Sequence, residues 1–213
     1  MNTSGPTTDP RPGFRLSGRL LYLTDDPALL RQQLAGTDIS QAELPDLRDN
    51  VSTDEITPTT VMLTYDERLG AYPYVGLVCR GESVVGKGQV AAGYFQVTVA
   101  GARYGKGSSR ESSPLAERSS GIRLIIARSF ERIYRQNAHN LGLLTSTDLG
   151  LIPRLRDGET IPLEEFLDGH DELTRRVILA GGLLEFSRAH LADAQTSGRT
   201  THTATRPLTL AEK

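Results

Sequence analysis

Residues 104–114 read YGKGSSRESSP, a stretch rich in glycine, serine and charged residues. A lysine stands between two glycines, and two adjacent serines, an arginine and a glutamate follow directly. Glycines permit a tight turn, while hydroxyls and fixed positive charges are groups that bind and activate anionic substrates. The stretch therefore indicates a plain helix start, or an anion site that contains a nucleophile or base.

The first of these readings is a capped helix N-terminus. Ser108 and Glu111 have the S-x-x-E spacing of a capping box, in which each side chain accepts a hydrogen bond from the other residue's backbone. Ser113 before Pro114 is a second candidate cap, with proline at the first helical position. The two readings are compatible, because the free N–H groups and the dipole of a helix start also favour negative charge.

A nucleotide-binding P-loop is excluded by the same residues. Such a loop has the pattern G-x-x-x-x-G-K-[ST], in which the final hydroxyl binds magnesium. In this chain only three residues separate Gly101 from Gly105, and Gly107 stands where the hydroxyl is required. The lysine between the glycines therefore does not predict a phosphate-binding loop.

The composition is that of an ordinary soluble globular chain. Of 213 residues, 38% are apolar and 23% are charged, and the net charge of −2 does not favour nucleic acid or an anionic membrane as partner. Cys79 is the single cysteine, so no internal disulfide and no cluster held by this chain's cysteines alone is expected. No signal peptide and no apolar run of membrane-spanning length is present, so we expect a cytoplasmic protein.

Strand-like and helix-like segments alternate along the chain, which indicates an α/β fold. Segments rich in β-branched, aromatic or other apolar residues predict strands at 19–23, 60–65, 74–79, 94–101 and 122–127. Helices are predicted at 26–36, 114–121, 129–142 and 183–193. Asp26, Pro27 and Gly36 are expected to cap, begin and end the first helix, and 44–58 is expected to be a loop.

Both ends of the chain read as tails around one domain. Residues 1–13 and 194–213 are polar and lack the apolar periodicity of a helix or strand. They would therefore bury too little apolar surface to offset the entropy of ordering. The predicted domain covers 14–193.

The opening stretch resembles a family motif, and three other stretches agree with the same family in order and spacing. KGSSRESSP is similar to the G-x-G-S-S-R-E-x-x-P loop of the aconitase superfamily. DNVSTDEITP at 49–58 resembles the family's D-x-x-x-T-D-x-I-x-P loop, and IIARSFERIYRQNAHNLGLL at 125–144 resembles its A-x-S-F-x-R-I-x-x-x-N-x-x-N-x-G-L-L segment. GGLLEF at 181–186 fits the last part of the same domain, so the resemblance covers about 16–193.

The resemblance implies a particular domain within the α/β class. It is the aconitase-type swivelling β/β/α domain with flanking helices, which forms the separate small subunit of isopropylmalate isomerases. Residues 14–45 are similar to the connector that joins the large and small parts in single-chain relatives.

The resemblance also implies an activity, the dehydration and rehydration of a hydroxylated di- or tricarboxylate by an aconitase-family hydro-lyase or isomerase. In this family a large aconitase-like subunit holds a [4Fe–4S] cluster, whose open iron acts as Lewis acid on the leaving hydroxyl. A heterodimer or larger assembly is therefore expected, with the cluster on the partner and no metal bound by this chain. The single cysteine of this chain agrees with that division.

Family roles transfer to the residues of the opening loop. Ser108 corresponds to the base that removes a proton beside a carboxylate, and Ser109 and Arg110 correspond to groups that bind a substrate carboxylate. A serine alkoxide is a strong base that needs nearby positive charge and backbone donors. Gly105 and Gly107 let the backbone approach the substrate closely.

Two basic residues depart from the family pattern. Lys106 stands where the family often has a small residue or cysteine. It is an exposed loop-tip lysine, a cation that stabilises the Ser108 alkoxide, or an extra contact to an unusual anionic substrate. Arg68 falls in the region of the family's substrate-selecting loop, with different spacing, and its alternative is a solvated turn arginine.

Other residues are expected to support the loop. Thr53 and Asp54 resemble the family loop near the cleft, although adjacent acids at this point are also common in turns and caps. Asn137 and Asn140 are expected to support the loop by hydrogen bonds, and His139 is expected to be a surface or capping group.

Two alternatives to the small-subunit reading stay open. A stand-alone, iron-independent dehydratase would need another Lewis acid, for which the sequence shows no ligand set. A non-catalytic binding or regulatory module with the same fold is the other alternative, although the intact serines and arginine of the opening loop argue against it. The sequence does not identify the substrate, and the loop at 59–74 is expected to determine substrate specificity.

Overall fold

The computed structural model describes residues 13–39, 45–61 and 66–196, which fold around a parallel sheet. The strands are β1 (Gly13–Arg15), β2 (Arg19–Tyr22), β3 (Val78–Cys79), β4 (Glu82–Ser83), β5 (Phe95–Ala100), β6 (Leu124–Ala127), β7 (Leu144–Ser146) and β8 (Thr160–Pro162). The α-helices are α1 (Pro27–Leu34), α2 (Thr53–Ile56), α3 (Gln89–Ala92), α4 (Ser112–Ser120), α5 (Arg132–Asn140), α6 (Leu151–Arg156), α7 (Glu172–Leu179) and α8 (Leu183–Thr196). Short 3₁₀ helices cover Thr59–Val61, Glu67–Ala71 and Leu163–Phe166.

The central sheet has four strands in the order β2–β5–β6–β7, and each neighbouring pair is parallel. All four residues of β6 are buried, as expected for a parallel strand that is covered on both faces. The mixed helix and strand content with a parallel sheet confirms the predicted α/β class.

Two apolar clusters cover the two faces of the sheet, because successive side chains of a strand point to opposite faces. In β6, Ile125 packs in the cluster that includes α1 and α5, whereas Ile126 packs in the cluster that includes α6. The antiparallel pair β1–β8 borders the second cluster through Phe14 and Ile161.

Several predicted elements are confirmed near their predicted bounds. Helix α1 begins after Asp26, whose carboxylate accepts bonds from the Ala28 and Leu29 amides, and Pro27 is its first residue. Strand β5, helices α4, α5 and α8 and the buried strand β6 also lie where the patterns placed them. Gly121 ends α4 with a φ of +110°, the left-handed conformation that favours glycine.

Two predicted strands are wrong where the structure describes them. Of 74–79 only the last two residues form a strand, because Tyr74 has a φ of +64° and starts a buried turn. Thr60 and Val61 lie in a 3₁₀ helix, and 62–65 lie outside the described residues. The predicted loop at 44–58 contains helix α2.

The predicted tails fall mostly outside the described residues, which begin at residue 13 and end at residue 196. At the N-terminal tail, Gly13 belongs to β1 and pairs with Pro162 of β8. At the C-terminal tail, α8 extends to Thr196. Across the described ranges, no helix has the length and apolar character that crossing a membrane requires.

The topology places two loops at one edge of the sheet. Strand β5 ends at Ala100 and its neighbour β6 ends at Ala127, and the chain leaves each strand at its carboxyl end. Ligands of open α/β sheets bind outside the carboxyl ends of the strands. The glycine-rich loop after β5 and the turn after β6 therefore lie where a site is expected.

Candidate active site

The glycine-rich loop is held to the 49–58 loop by main-chain hydrogen bonds. The Gly105 and Lys106 amides donate to the Val51 carbonyl at 2.9 and 3.1 Å, and the Thr53 amide donates to the Lys106 carbonyl at 2.8 Å. Ser52 and Lys106 form an isolated parallel bridge. Two stretches that are far apart in sequence are thus joined without the use of side chains.

Both glycines of the loop have conformations that other residues seldom adopt. Gly105 has a φ of +79° and Gly107 a φ of +116°. A Cβ at Gly105 would overlap the Tyr134 ring, and a Cβ at Gly107 would lie 3.1 Å from Thr53 Oγ1. The turn therefore depends on glycine at the first position for both its conformation and its packing.

Ser108 and Ser109 are exposed at the end of this loop. The Ser108 hydroxyl accepts a long hydrogen bond of 3.4 Å from Arg110 Nη2. A fixed positive charge beside a hydroxyl favours its ionised form. Ser108 is thus open to a ligand while it lies beside a guanidinium group.

Arg110 forms an ion pair that joins the two loops. Its Nη1 donates to Asp54 Oδ1 at 2.5 Å. The Arg110 side chain is 14% exposed, whereas the Asp54 side chain is 60% exposed. The guanidinium is therefore fixed within the site, and the aspartate approaches it from the solvent side.

The capping box predicted at Ser108 and Glu111 is wrong. Helix α4 begins at Ser112, after Glu111, whose side chain makes no cap hydrogen bond. The Ser108 hydroxyl instead lies beside the Arg110 guanidinium. A capping box does occur nearby, between Ser52 and Glu55 at the start of α2.

Ser113 is also not a cap. It lies within α4, where its hydroxyl donates to the Thr53 carbonyl at 3.1 Å. Thr53 is buried and bonds both the glycine loop and α4 through its backbone. The Thr53 backbone therefore joins the glycine loop to α4, and its role in the site stays a prediction.

Lys106 contributes to the site mainly through its backbone, as described above. Its side chain is exposed on the loop that ends in Ser108. It is thus a second basic side chain near the exposed serines, and its role stays a prediction.

Arg68 is a surface arginine that pairs within its own segment. It is 72% exposed and pairs with Asp66 at 2.7 Å. The 3₁₀ helix that carries it packs against the end of α4, where a Cβ on Gly70 would lie 2.6 Å from the Ser119 backbone. In the described part of the chain no hydrogen bond or ion pair joins Arg68 to the glycine loop, and its substrate-binding role stays a prediction.

Arg132 is a candidate residue that the sequence analysis did not single out. It is the first residue of α5, it is exposed, and it lines a cavity of about 210 Å³. The cavity is also lined by Gly105, Gly107, Ser108, Glu131, Ile133 and Tyr134. Within the described ranges, Arg132 takes no carboxylate partner, and the neighbouring Glu131 pairs with Arg103 at 3.1 Å. The arginine of the S-F-x-R-I match at 125–144 was the signal for this position.

The asparagines and the histidine of α5 lie away from the loop. In the described part of the chain, Asn137 and Asn140 make no side-chain hydrogen bond to the glycine loop, so their supporting role stays a prediction. His139 was expected at the surface, but it is only 4% exposed and Nε2 lies 2.8 Å from Thr145 Oγ1. Burial lowers the pKa of His139 to about 3, with smaller effects from His170 and Arg135. The imidazole is therefore a neutral core group.

The donor groups of the described residues do not fit an iron–sulfur cluster. Cys79 is buried and its thiol donates to the Thr24 carbonyl at 3.3 Å. Burial raises the pKa of this thiol, which disfavours the thiolate that a metal requires. Across 13–39, 45–61 and 66–196, no three His, Cys, Asp or Glu side chains lie close enough together to hold a metal ion.

The site as a whole combines an exposed hydroxyl with several charged groups. Ser108 lies beside Arg110 and lines a cavity with Arg132 and Glu131, and Asp54 and Arg103 pair with Arg110 and Glu131 respectively. Such an arrangement can bind a small carboxylate and can favour an ionised serine.

Comparison with known proteins identifies the family. The family model described as the aconitase C-terminal domain matches residues 89–147, which include β5, the glycine loop and α4. The small subunit 1 of 3-isopropylmalate dehydratase from Methanopyrus kandleri is 34% identical over 152 residues, or 64% of this chain and 85% of the relative. The isopropylmalate/citramalate isomerase small subunit of Methanocaldococcus jannaschii is 29% identical over 162 residues, or 69% and 92% of the two chains.

A solved structure agrees with these relatives. The crystal structure of a 3-isopropylmalate dehydratase chain from Methanocaldococcus jannaschii has a TM-score of 0.51 and 27% identity, and the match covers 70% of this chain and 93% of that one. The chain therefore belongs to the aconitase superfamily, in the family of 3-isopropylmalate dehydratase small subunits, and is the small subunit of a two-part hydro-lyase or isomerase.

Proposed function

We propose that this chain provides the base and the carboxylate-binding groups for reversible dehydration of a small hydroxylated dicarboxylate, of the kind that the names of its relatives indicate. The observation that supports this proposal is the position of Ser108, which is exposed in a cavity with Arg132 and lies beside Arg110. The loop that carries it is fixed by main-chain bonds to the Val51 carbonyl. The site thus combines a preformed loop with an open hydroxyl.

The proposed role of Ser108 is to accept the proton from the carbon beside a substrate carboxylate. That C–H is a weak acid, so its base must be strong and in contact with it. The charges of Lys106 and Arg110, together with the backbone N–H groups of the loop, favour the serine alkoxide. After the double bond has formed, the same hydroxyl can return the proton during rehydration.

Arg110 and Ser109 are proposed to bind one substrate carboxylate. In the structure the Asp54 carboxylate already lies on the Arg110 guanidinium. Asp54 is much the more exposed of the two, so it can move aside while the guanidinium stays in place. Asp54 thus occupies the position that we assign to the substrate carboxylate.

Arg132 is proposed to bind the second carboxylate. It shares a cavity with Ser108 and belongs to a different element from Arg110. Two guanidinium groups on different elements can hold the two ends of a dicarboxylate with the reacting C–H near Ser108. A monocarboxylate would use only one of them.

The remaining catalytic group is proposed to lie on a large aconitase-like subunit. When bound there, a [4Fe–4S] cluster supplies the Lewis acid for the hydroxyl that leaves. This chain's described residues do not offer a suitable donor set, since Cys79 is a buried thiol. We propose a cytoplasmic heterodimer or larger assembly that acts on a soluble acid, with the domain at 14–193.

The two alternatives from the sequence are not favoured. The relatives in the comparisons are named as small subunits of dehydratases or isomerases, which argues against a stand-alone enzyme. A non-catalytic module is disfavoured because the relatives are enzyme subunits.

Mixing the purified chain with its cysteine-bearing large subunit tests the proposed function. We expect no hydration of 2-isopropylmaleate or citraconate by this chain alone, and turnover of at least one of them once the cluster-loaded large subunit is added. Turnover by the purified chain alone, without metal, would show that the proposed division of roles is wrong. Failure of the loaded pair to turn over either acid would reject the proposed substrate class.

A further inference from the structure

A buried carboxylate lies directly behind the glycine loop and is not part of the proposed site. Glu117 of α4 is completely buried. Its Oε1 accepts hydrogen bonds from the Tyr74 hydroxyl, at 2.7 Å, and from the Tyr104 hydroxyl, while Oε2 accepts one from the Tyr134 hydroxyl. Three phenols therefore converge on one carboxylate.

Two of these tyrosines enclose the first glycine of the loop. Tyr104 directly precedes Gly105, and its amide donates to the Ser129 carbonyl at 2.9 Å. The Tyr134 ring lies where a Cβ on Gly105 would have to be. The two rings meet edge to face with centroids 5.1 Å apart. The loop thus leaves the core between two side chains that both end on Glu117.

The third tyrosine reaches the same carboxylate from another direction. The Tyr74 hydroxyl also lies 2.8 Å from Thr98 Oγ1 on β5 and 2.9 Å from the Tyr104 hydroxyl, and the Tyr74 amide donates to the Ile56 carbonyl. Gly105 has Tyr134, not Tyr74, as its nearest side-chain neighbour. Tyr74 therefore shares the hydrogen bonds of the cluster but not the contact with the loop.

We propose that Glu117 is a positioning residue for Ser108, because its carboxylate fixes Tyr104 and Tyr134 around Gly105 and so sets where the catalytic loop begins. The inference rests on the proposed role of Ser108. A base that is misplaced by about 1 Å can lose up to about 100-fold in rate, so the start of the loop is a sensitive point.

The charge state of the carboxylate is part of this arrangement. Burial raises the pKa of Glu117 to about 7, against the smaller opposing effects of the three phenols. In the described part of the chain, the phenols of Tyr74, Tyr104 and Tyr134 are the titratable groups that contribute to this pKa. A protonated Glu117 becomes a donor, so one of its bonds to a phenol can reverse its direction, with the phenol oxygen as acceptor.

Amide hydrogen exchange of the full chain tests the proposal without any need for activity. The Gly105 and Lys106 amides, which both donate to the Val51 carbonyl, report how firmly the loop is held. Glu117→Gln keeps the size of the side chain but puts an NH₂ donor in place of one of the two oxygens that accept bonds from the tyrosine hydroxyls. We expect exchange at both amides to rise by about tenfold or more, and kcat of the assembled enzyme to fall about 10- to 100-fold with KM nearly unchanged.

A pair of matched variants separates positioning from simple stability. Tyr134→Phe removes the hydrogen bond to Glu117 Oε2, whereas Tyr74→Phe removes the bonds of the Tyr74 hydroxyl to Glu117, Thr98 and Tyr104, but of these two tyrosines it is Tyr134 whose ring lies against Gly105. We expect Tyr134→Phe to raise loop exchange and lower kcat, while Tyr74→Phe lowers only the melting temperature. Equal effects of the two variants on loop exchange and kcat would overturn the proposal.

The remaining outcomes are also decisive. Unchanged exchange at Gly105 and Lys106 in Glu117→Gln would overturn the proposal, and the tyrosine pair decides it if Glu117→Gln does not fold. If Ser108→Ala keeps full activity while Glu117→Gln still frees the loop, the assignment of Ser108 as base is wrong, and the control of Gly105 by Glu117 is confirmed on its own.

Discussion

Replacement of Glu117 by glutamine should change how the stability of the chain depends on pH. The pKa of Glu117 is raised from 4.5 to about 7, chiefly by burial. Because the folded state holds its proton more tightly than the unfolded state does, the stability from this group is fully present below pH 4.5. It is lost as the pH rises through about 7.

The size of the effect follows from the same pKa. Each pKa unit corresponds to about 1.4 kcal/mol, so ionisation of Glu117 costs the folded state on the order of 3 kcal/mol between pH 4.5 and about 7. For a chain of this size, that corresponds to roughly 6–12 °C in melting temperature. Glu117→Gln should lack this loss and should therefore gain stability relative to the wild type as the pH rises.

The measurement must be a difference between variants, because His139 acts in the opposite direction. Burial lowers the pKa of His139 to about 3, so its contribution to stability rises with pH up to about 6.5. Urea unfolding of wild type and Glu117→Gln at intervals from pH 4.5 to 8 cancels this shared contribution. Glu111→Gln, at the exposed start of α4, is the matched control. A difference between wild type and Glu117→Gln that stays constant over this range would refute the reasoning.

The remaining predictions concern the assembled enzyme. Ser108→Ala should lower kcat by about 10²–10⁴-fold and abolish proton exchange at the substrate C–H, measured by loss of deuterium, whereas wild-type exchange would show that the base lies elsewhere. Asp54→Asn should lower KM several-fold and cost at most about 1 kcal/mol in urea unfolding, since the pair with Arg110 is partly exposed. A higher KM would contradict this competition for Arg110. Arg132→Gln should raise KM about tenfold or more for the dicarboxylate, with Arg103→Gln as the control on the same surface, and equal KM values in the two variants would remove Arg132 from the site.

The sequence predicted the α/β class but misplaced two strands, and the roles of the candidate site residues stay predictions. The glycine loop and the 49–58 loop were matched as separate stretches, and the structure joins them at the Val51 carbonyl. The apolar run at 74–79 indicates burial, but burial does not specify backbone conformation. Tyr74 has a positive φ and begins a turn there.

The cluster around Glu117 could not be predicted from the sequence. Its three tyrosines lie 43, 13 and 17 residues away along the chain and on separate elements. A glutamate in a helix is usually solvated, and only tertiary packing reveals that this one is enclosed by phenols. Arg132 was missed for a related reason, because the start of α5 meets the glycine loop only once the sheet has brought β5 and β6 side by side.

Because Lys106 holds the loop through its main chain, its side chain can change during evolution and alter which substrate the chain prefers. The amide and carbonyl of Lys106 hold the loop, while its side chain is exposed on the same loop as Ser108. Substitutions at this position can therefore alter the charge and size of the cleft without disturbing its scaffold. In a directed-evolution experiment on substrate range, we expect position 106 to tolerate more substitutions than either flanking glycine. New side chains there would change the groups that meet the substrate at little cost in folding stability.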